Sequence, residues 1–102
     1  DLRNSKVVDI LTELQEYRCD IRVHDPLADS SEAQEEYGIE LCTWEELTQC
    51  QAVILAVPHA QYLELGAADF GAMMVQDATL VDIKSVLDRS ELDAAGLNVW
   101  RV

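Results

Sequence analysis

One run constrains this chain more than any other: residues 52–57 read A-V-I-L-A-V and stop at Pro58. A strand with one wet face alternates apolar and polar residues, whereas an unbroken apolar run suits a strand covered on both faces. Sheets of that kind are parallel, because the crossover segments between parallel strands supply helices to cover them. The run therefore predicts a central parallel strand, and the rest of the chain should provide helices and further strands in alternation.

The flanking sequence does so. Val7, Ile10, Leu11, Leu14 and Tyr17 recur at helical spacing, with Asn4 or Ser5 available as a cap. Ile21 and Val23 alternate with Asp20, Arg22 and His24 as a short strand with one wetter face, stopped by the Asp25-Pro26 turn. A second helix opens near Ser30 and Ser31, where Ser31 and Gln34 have capping-box spacing, and Gly38 is placed to close it. After an extended Ile39–Leu41, Thr43 and Glu46 repeat that spacing and start a helix carrying Trp44 and Leu47. Residues 59–75 are mixed and helical in parts, Thr79–Ile83 is another apolar strand, Ser90–Ala95 is a helix closed by Gly96, and Leu97–Val102 is a last strand. The expected fold is α/β, a Rossmann-like three-layer arrangement with a parallel sheet. Such folds open on a strand, and this chain opens on a helix, so a first strand is expected to be missing from it.

At 102 residues the chain is one domain. Its net charge of −13, from 20 acidic and 7 basic residues, repels phosphate backbones and argues against nucleic acid. Any anionic ligand must then depend on a few basic groups among Arg3, Lys6, Arg18, Arg22, Lys84, Arg89 and Arg101. No apolar run approaches the ~20 residues that span a bilayer, and the first residues lack a signal-peptide pattern, so no membrane is expected. Cys19, Cys42 and Cys50 are odd in number and form no C-x-x-C pair, which predicts buried, reduced thiols in a cytoplasmic protein and no metal site.

The opening D-L-R-N-S, the V-H-D-P at 23–26, the A-V-I-L-A-V-P-H at 52–59 and the V-D-I-K at 81–84 form an ordered set. In that order they resemble the C-terminal, UDP-binding domain of the UDP-glucose/GDP-mannose dehydrogenase family, over the whole chain. In that family a Phe-Lys strand precedes the D-x-R-x-S segment, which would be the missing first strand. The resemblance implies a parent enzyme that oxidises the C6 alcohol of a UDP-sugar to a carboxylate, with two hydride transfers to NAD. It also implies an N-terminal NAD domain, a central helical domain through which the parent forms a homodimer, and a catalytic cysteine outside this segment. No G-x-G-x-x-G is present here, so no catalytic residue is assigned and the chain alone should be inactive.

Two residues inherit roles from the resemblance. Arg3 matches the Arg of D-x-R-x-S, which in the family reaches across the interdomain cleft to the cofactor; its fork-shaped guanidinium suits a pyrophosphate or ribose. The alternative is a surface Arg beside a helix N-terminus, where a cation is mildly unfavourable. Lys84 follows a strand at its carboxyl end, where open α/β sheets bind ligands, and the family often has an Arg near this place that contacts the UDP-sugar. Lysine offers no bidentate contact, so substrate binding and a solvated side chain both stay open. His59 lies past another strand end. Family members acting on UDP-N-acetylhexosamines often read A-V-x-H here, and UDP-glucose enzymes T-E-W, so a UDP-N-acetylhexosamine is the expected substrate. A His bonded to loop backbone is the plainer reading of His59. Trp44, Tyr62 and Trp100 are expected to pack in the core or between domains. The competing functions are the same domain of a UDP-glucose or UDP-N-acetylmannosamine 6-dehydrogenase, and a non-catalytic nucleotide- or protein-binding module.

Overall fold

The computed structural model describes residues 5–101. Arg3 and the Asn4 cap therefore lie outside the described residues. The chain divides into two compact units, Asp1–Glu46 and Leu47–Val102.

In the first unit, α1 (Ser5–Glu16) places Val7 and Leu11 one helical turn apart, and both pack into a cluster with Ala33, Ile39, Ile21, Val23, Ala28 and Leu41. The apolar series ends sooner than its spacing predicts. Tyr17 is 77% exposed, because Arg18 takes a left-handed φ of 58° and turns the chain, with Cys19 N–H bonded back to Leu14 O at 3.3 Å. The strand expected at Ile21–Val23 shrinks to a single parallel bridge, Val23 with Leu41. Its partner segment is short, bounded by the left-handed Gly38 and by the turn at Thr43, so no ladder can extend. Asp25 makes the expected turn, accepting from Leu27 N–H at 2.9 Å.

α2 (Ser30–Tyr37) is capped by Asp29, not through Ser31 and Gln34: the Asp29 carboxylate accepts from Glu32 N–H at 3.0 Å. Aspartate wins because its extended backbone just ahead of the helix brings its oxygen to an unpaired N–H of the first turn. Gly38 closes the helix at φ 64°, returning its N–H to Gln34 O at 3.1 Å. The third helix is reduced to one 3₁₀ turn, Trp44–Glu46, and Leu47 lies beyond it. Its capping pair forms all the same, with Thr43 N–H and hydroxyl donating to Glu46 Oε1 at 2.8 and 3.1 Å.

The second unit holds the sheet. β1 (Cys50–Leu55), β2 (Met74–Asp82) and β3 (Asn98–Arg101) run parallel in the order β1-β2-β3. The crossover from β1 to β2 contains α3 (Ala60–Leu63) and α4 (Ala67–Met73), and that from β2 to β3 contains α5 (Arg89–Ala94). The α/β class with a parallel sheet is as expected, and among the described residues the strand with two neighbours is β2. β2 has a neighbour on each side, whereas among the described residues β1 pairs with β2 alone and Ala52 is exposed. Ala78, Leu80 and Asp82 alternate along one face of β2 and are buried, which a two-sided ladder makes possible.

α4 packs on β2 and α5 on β3, burying Phe70, Met73 and Leu92. Gly66 N–H bonds to Asp69 at 2.8 Å, and Ala67 N–H to Glu91 of α5 at 3.3 Å, so both helices share one polar fastening. The β1–β2 register slips between Cys50 and Ala52, whose partners are Met74 and Thr79, and Asp77 within that bulge has φ 66°.

The structure shows where the cysteines and aromatic side chains lie. Contrary to expectation the cysteines are not buried: Cys19 is exposed and Cys42 and Cys50 are half-buried. Tyr62 is buried and Trp44 half-buried, the latter edge-on to His24 at 5.4 Å. Trp100 is 68% exposed, because alternation along β3 turns Val99 inward and Trp100 out.

Candidate functional site at the carboxyl ends of the strands

Three parallel strands end together in the second unit, at Leu55, Asp82 and Arg101. The loops that leave this rim carry His59 and Lys84. Parallel sheets bind ligands here because loops, not strands, supply the side chains beyond the strand ends.

The loop after β1 runs from Ala56 to His59 and turns tightly, with His59 N–H on Val57 O at 2.9 Å. His59 is half-buried, accepts from Tyr62 N–H through its carbonyl at 2.9 Å, and meets the Tyr62 ring edge-on at 5.6 Å. Its backbone and ring are thus engaged in starting α3.

The loop after β2 runs over residues 83–88. Ile83 N–H bonds to Leu55 O at 3.2 Å, carrying the β1–β2 ladder one step past the strands. Ser85 N–H returns to Asp82 O at 3.3 Å, and Ser85 takes φ 55°, a conformation that costs a non-glycine residue about 1 kcal/mol. Lys84 stands on this turn and is exposed.

Below it lies the least expected residue of the sheet. Asp82 is 0% exposed, on the same buried face of β2 as Ala78 and Leu80. Its Oδ2 accepts from Leu87 N–H at 2.9 Å, and its Oδ1 has no hydrogen-bond partner. Its ladder partner across to β3 is Arg101. Arg101 Nη2 donates to Leu87 O, and its buried Nε has no partner. A charged residue inside an apolar strand, as in V-D-I-K, was a visible signal; that Arg101 would share its target was not, since register across a crossover is a tertiary property.

An open depression of about 360 Å³ in this unit lies elsewhere. It is lined by Thr79, Asn98 and Trp100 with Arg89 and Asp93, beside β3 and the start of α5, away from the loop that carries Lys84. It is polar and shallow, and the Arg89–Asp93 pair at 3.7 Å already engages its charges. The carboxyl rim is therefore the better candidate.

No group of three or more His, Cys, Asp or Glu side chains is arranged to hold a metal among the described residues. A dinucleotide does not fit the described residues either: the turn after β1 reads A-V-P-H without glycine, and the helix behind it has only four residues. No described helix is long and apolar enough to cross a membrane.

Residues 1–89 match the UDP-glucose/GDP-mannose dehydrogenase family, UDP binding domain. The chain is 35% identical over its full length to the protein CapL of Staphylococcus aureus, covering 24% of it. It is 32% and 37% identical, over 91% of its length, to the UDP-N-acetyl-D-glucosamine 6-dehydrogenases of Salmonella typhi and Pseudomonas aeruginosa, covering 22% of each. The chain thus spans about a quarter of the length of these relatives. No solved structure matches it.

Proposed function

The chain belongs to the UDP-binding domain of the UDP-glucose/GDP-mannose dehydrogenase family, and from that premise we propose that it holds the UDP-sugar in a UDP-N-acetylhexosamine 6-dehydrogenase. The observation that carries this reading is the position of Lys84, exposed on the loop beyond β2, within a family defined by UDP binding. The names of the two dehydrogenase relatives, and the A-V-P-H at 56–59, favour an N-acetylated sugar.

In this reading the Lys84 ammonium is a point charge for the diphosphate, in a chain whose −13 charge would otherwise repel it. Binding energy gathered at the UDP end, remote from the reacting carbon, positions C6 for oxidation. NAD would supply the hydride acceptor when bound to the rest of the parent enzyme, and Arg3 is the residue of this chain assigned to contact it. The parent is a cytoplasmic homodimer that supplies sugar acids for surface polysaccharide, and the domain alone catalyses nothing.

The test is steady-state kinetics of the full-length protein with NAD and each of UDP-N-acetylglucosamine, UDP-N-acetylmannosamine and UDP-glucose. Lys84→Ala should raise KM for the UDP-sugar by about tenfold, and Arg3→Ala should cost ~2–3 kcal/mol in kcat/KM for NAD, the scale of one charged hydrogen bond. Preference for UDP-glucose would overturn the substrate assignment. An effect of Lys84→Ala confined to NAD would reverse the two roles.

A further inference from the structure

Asp82 and Arg101 are opposed charges at paired positions of adjacent parallel strands, and registered residues of a parallel ladder project to the same side of the sheet. Their polar atoms are nonetheless spent on a third residue. The Leu87 N–H donates to Asp82 Oδ2 at 2.9 Å, and the Leu87 carbonyl accepts from Arg101 Nη2. The Leu87 side chain is itself buried.

Desolvating a carboxylate and a guanidinium is expensive, and an apolar pair would fill the same space at lower cost. Two buried atoms, Asp82 Oδ1 and Arg101 Nε, are left without hydrogen bonds, so the arrangement is not optimal for stability alone. What it achieves is geometric. Both backbone hydrogen-bonding groups of one loop residue are fixed from two different strands. The near end of the same loop is fixed by Ile83 N–H on Leu55 O. Between these anchors only Lys84, Ser85 and Val86 are exposed. A loop held at both ends loses less entropy when a side chain on it engages a ligand.

We propose that Asp82 and Arg101 are positioning residues that preorganise the loop at 83–88 so that Lys84 meets the ligand. This rests on the reading of Lys84 as a UDP-sugar contact. Neither residue touches the ligand; both act through Leu87.

The experiment is a double-mutant cycle in the full-length protein, reading KM for the UDP-sugar and for NAD separately. Arg101→Met keeps the buried stem and removes the donor to Leu87. It should raise KM for the UDP-sugar by about five- to tenfold, the scale of one lost charge-assisted hydrogen bond, and leave KM for NAD unchanged. In a Lys84→Ala background the same change should have less than about a twofold effect, because the residue it positions is gone. Asp82→Ala, which removes the acceptor for Leu87 N–H, is measured in the same cycle as a second route, with a shift in the same direction that also vanishes without Lys84. Equal effects of Arg101→Met in both backgrounds, or none in either, would overturn the positioning role alone. If Lys84→Ala itself leaves KM for the UDP-sugar unchanged, the Lys84 reading fails and the positioning role falls with it.

Discussion

Replacing Asp82 separates the worth of its hydrogen bond from the cost of its charge. The carboxylate is fully buried, one oxygen serves Leu87 N–H, and the other serves nothing. Asp82→Ala leaves the Leu87 N–H buried without an acceptor, which costs about 1–3 kcal/mol. Part of that is returned, because no charge need then be desolvated and the orphan oxygen is gone. The expected net loss is about 1–2 kcal/mol, and it should be local to the loop. Asp82→Asn keeps both the shape and one acceptor for Leu87, so it should stay within about 1 kcal/mol of the parent. Native-state hydrogen exchange reads this directly at the Leu87 amide. Exchange there should accelerate by roughly tenfold in Asp82→Ala, since each 1.4 kcal/mol is a factor of ten, and much less in Asp82→Asn. Protection in Asp82→Ala equal to or above that of the parent would refute the reasoning. The buried charge, not the lost acceptor, would then dominate the site.

Three further perturbations probe the rest of the chain. Gly38→Ala places a side chain at φ 64° in open space, so only backbone strain opposes it, and urea denaturation should show a loss of about 1 kcal/mol; no loss would mean the turn relaxes to negative φ. Leu80→Ala empties a fully buried site in the central strand and should cost about 2–5 kcal/mol by the same assay, an effect below 1 kcal/mol indicating that the sheet collapses to fill it. The backbone N–H of Thr43, then its hydroxyl, hold the Glu46 carboxyl below its usual value against a small opposing desolvation, with Arg22 assisting. A depressed folded pKa contributes stability above the unfolded value near ~4.3 and loses it as pH falls through the folded value. The stability difference between the protein and Glu46→Gln should therefore be constant at neutral pH and shrink in that acid window; a difference independent of pH would refute the assignment.

Patterns of a few residues determined much of this fold directly. The apolar run at 52–57 announced a parallel sheet, and Gly38 closed its helix, because both depend on local chemistry: covering a strand on two faces, and a φ that glycine adopts freely. Ordered motifs from 1 to 84 likewise carried the family, through residue types that a short peptide already displays. Competition between neighbouring capping residues was less legible, and Asp29 displaced Ser31 because backbone direction at the helix start selects the acceptor. Which strand is central, how far residues 21–23 extend their pairing, and that Trp100 faces outward were decided by partners far along the chain. The same holds for the rim. Lys84 was legible as a basic residue after a strand, but the grip of Asp82 and Arg101 on Leu87 exists only once β2 and β3 lie in register. Register is set by the packing of the crossover helix between them, and no local pattern encodes it.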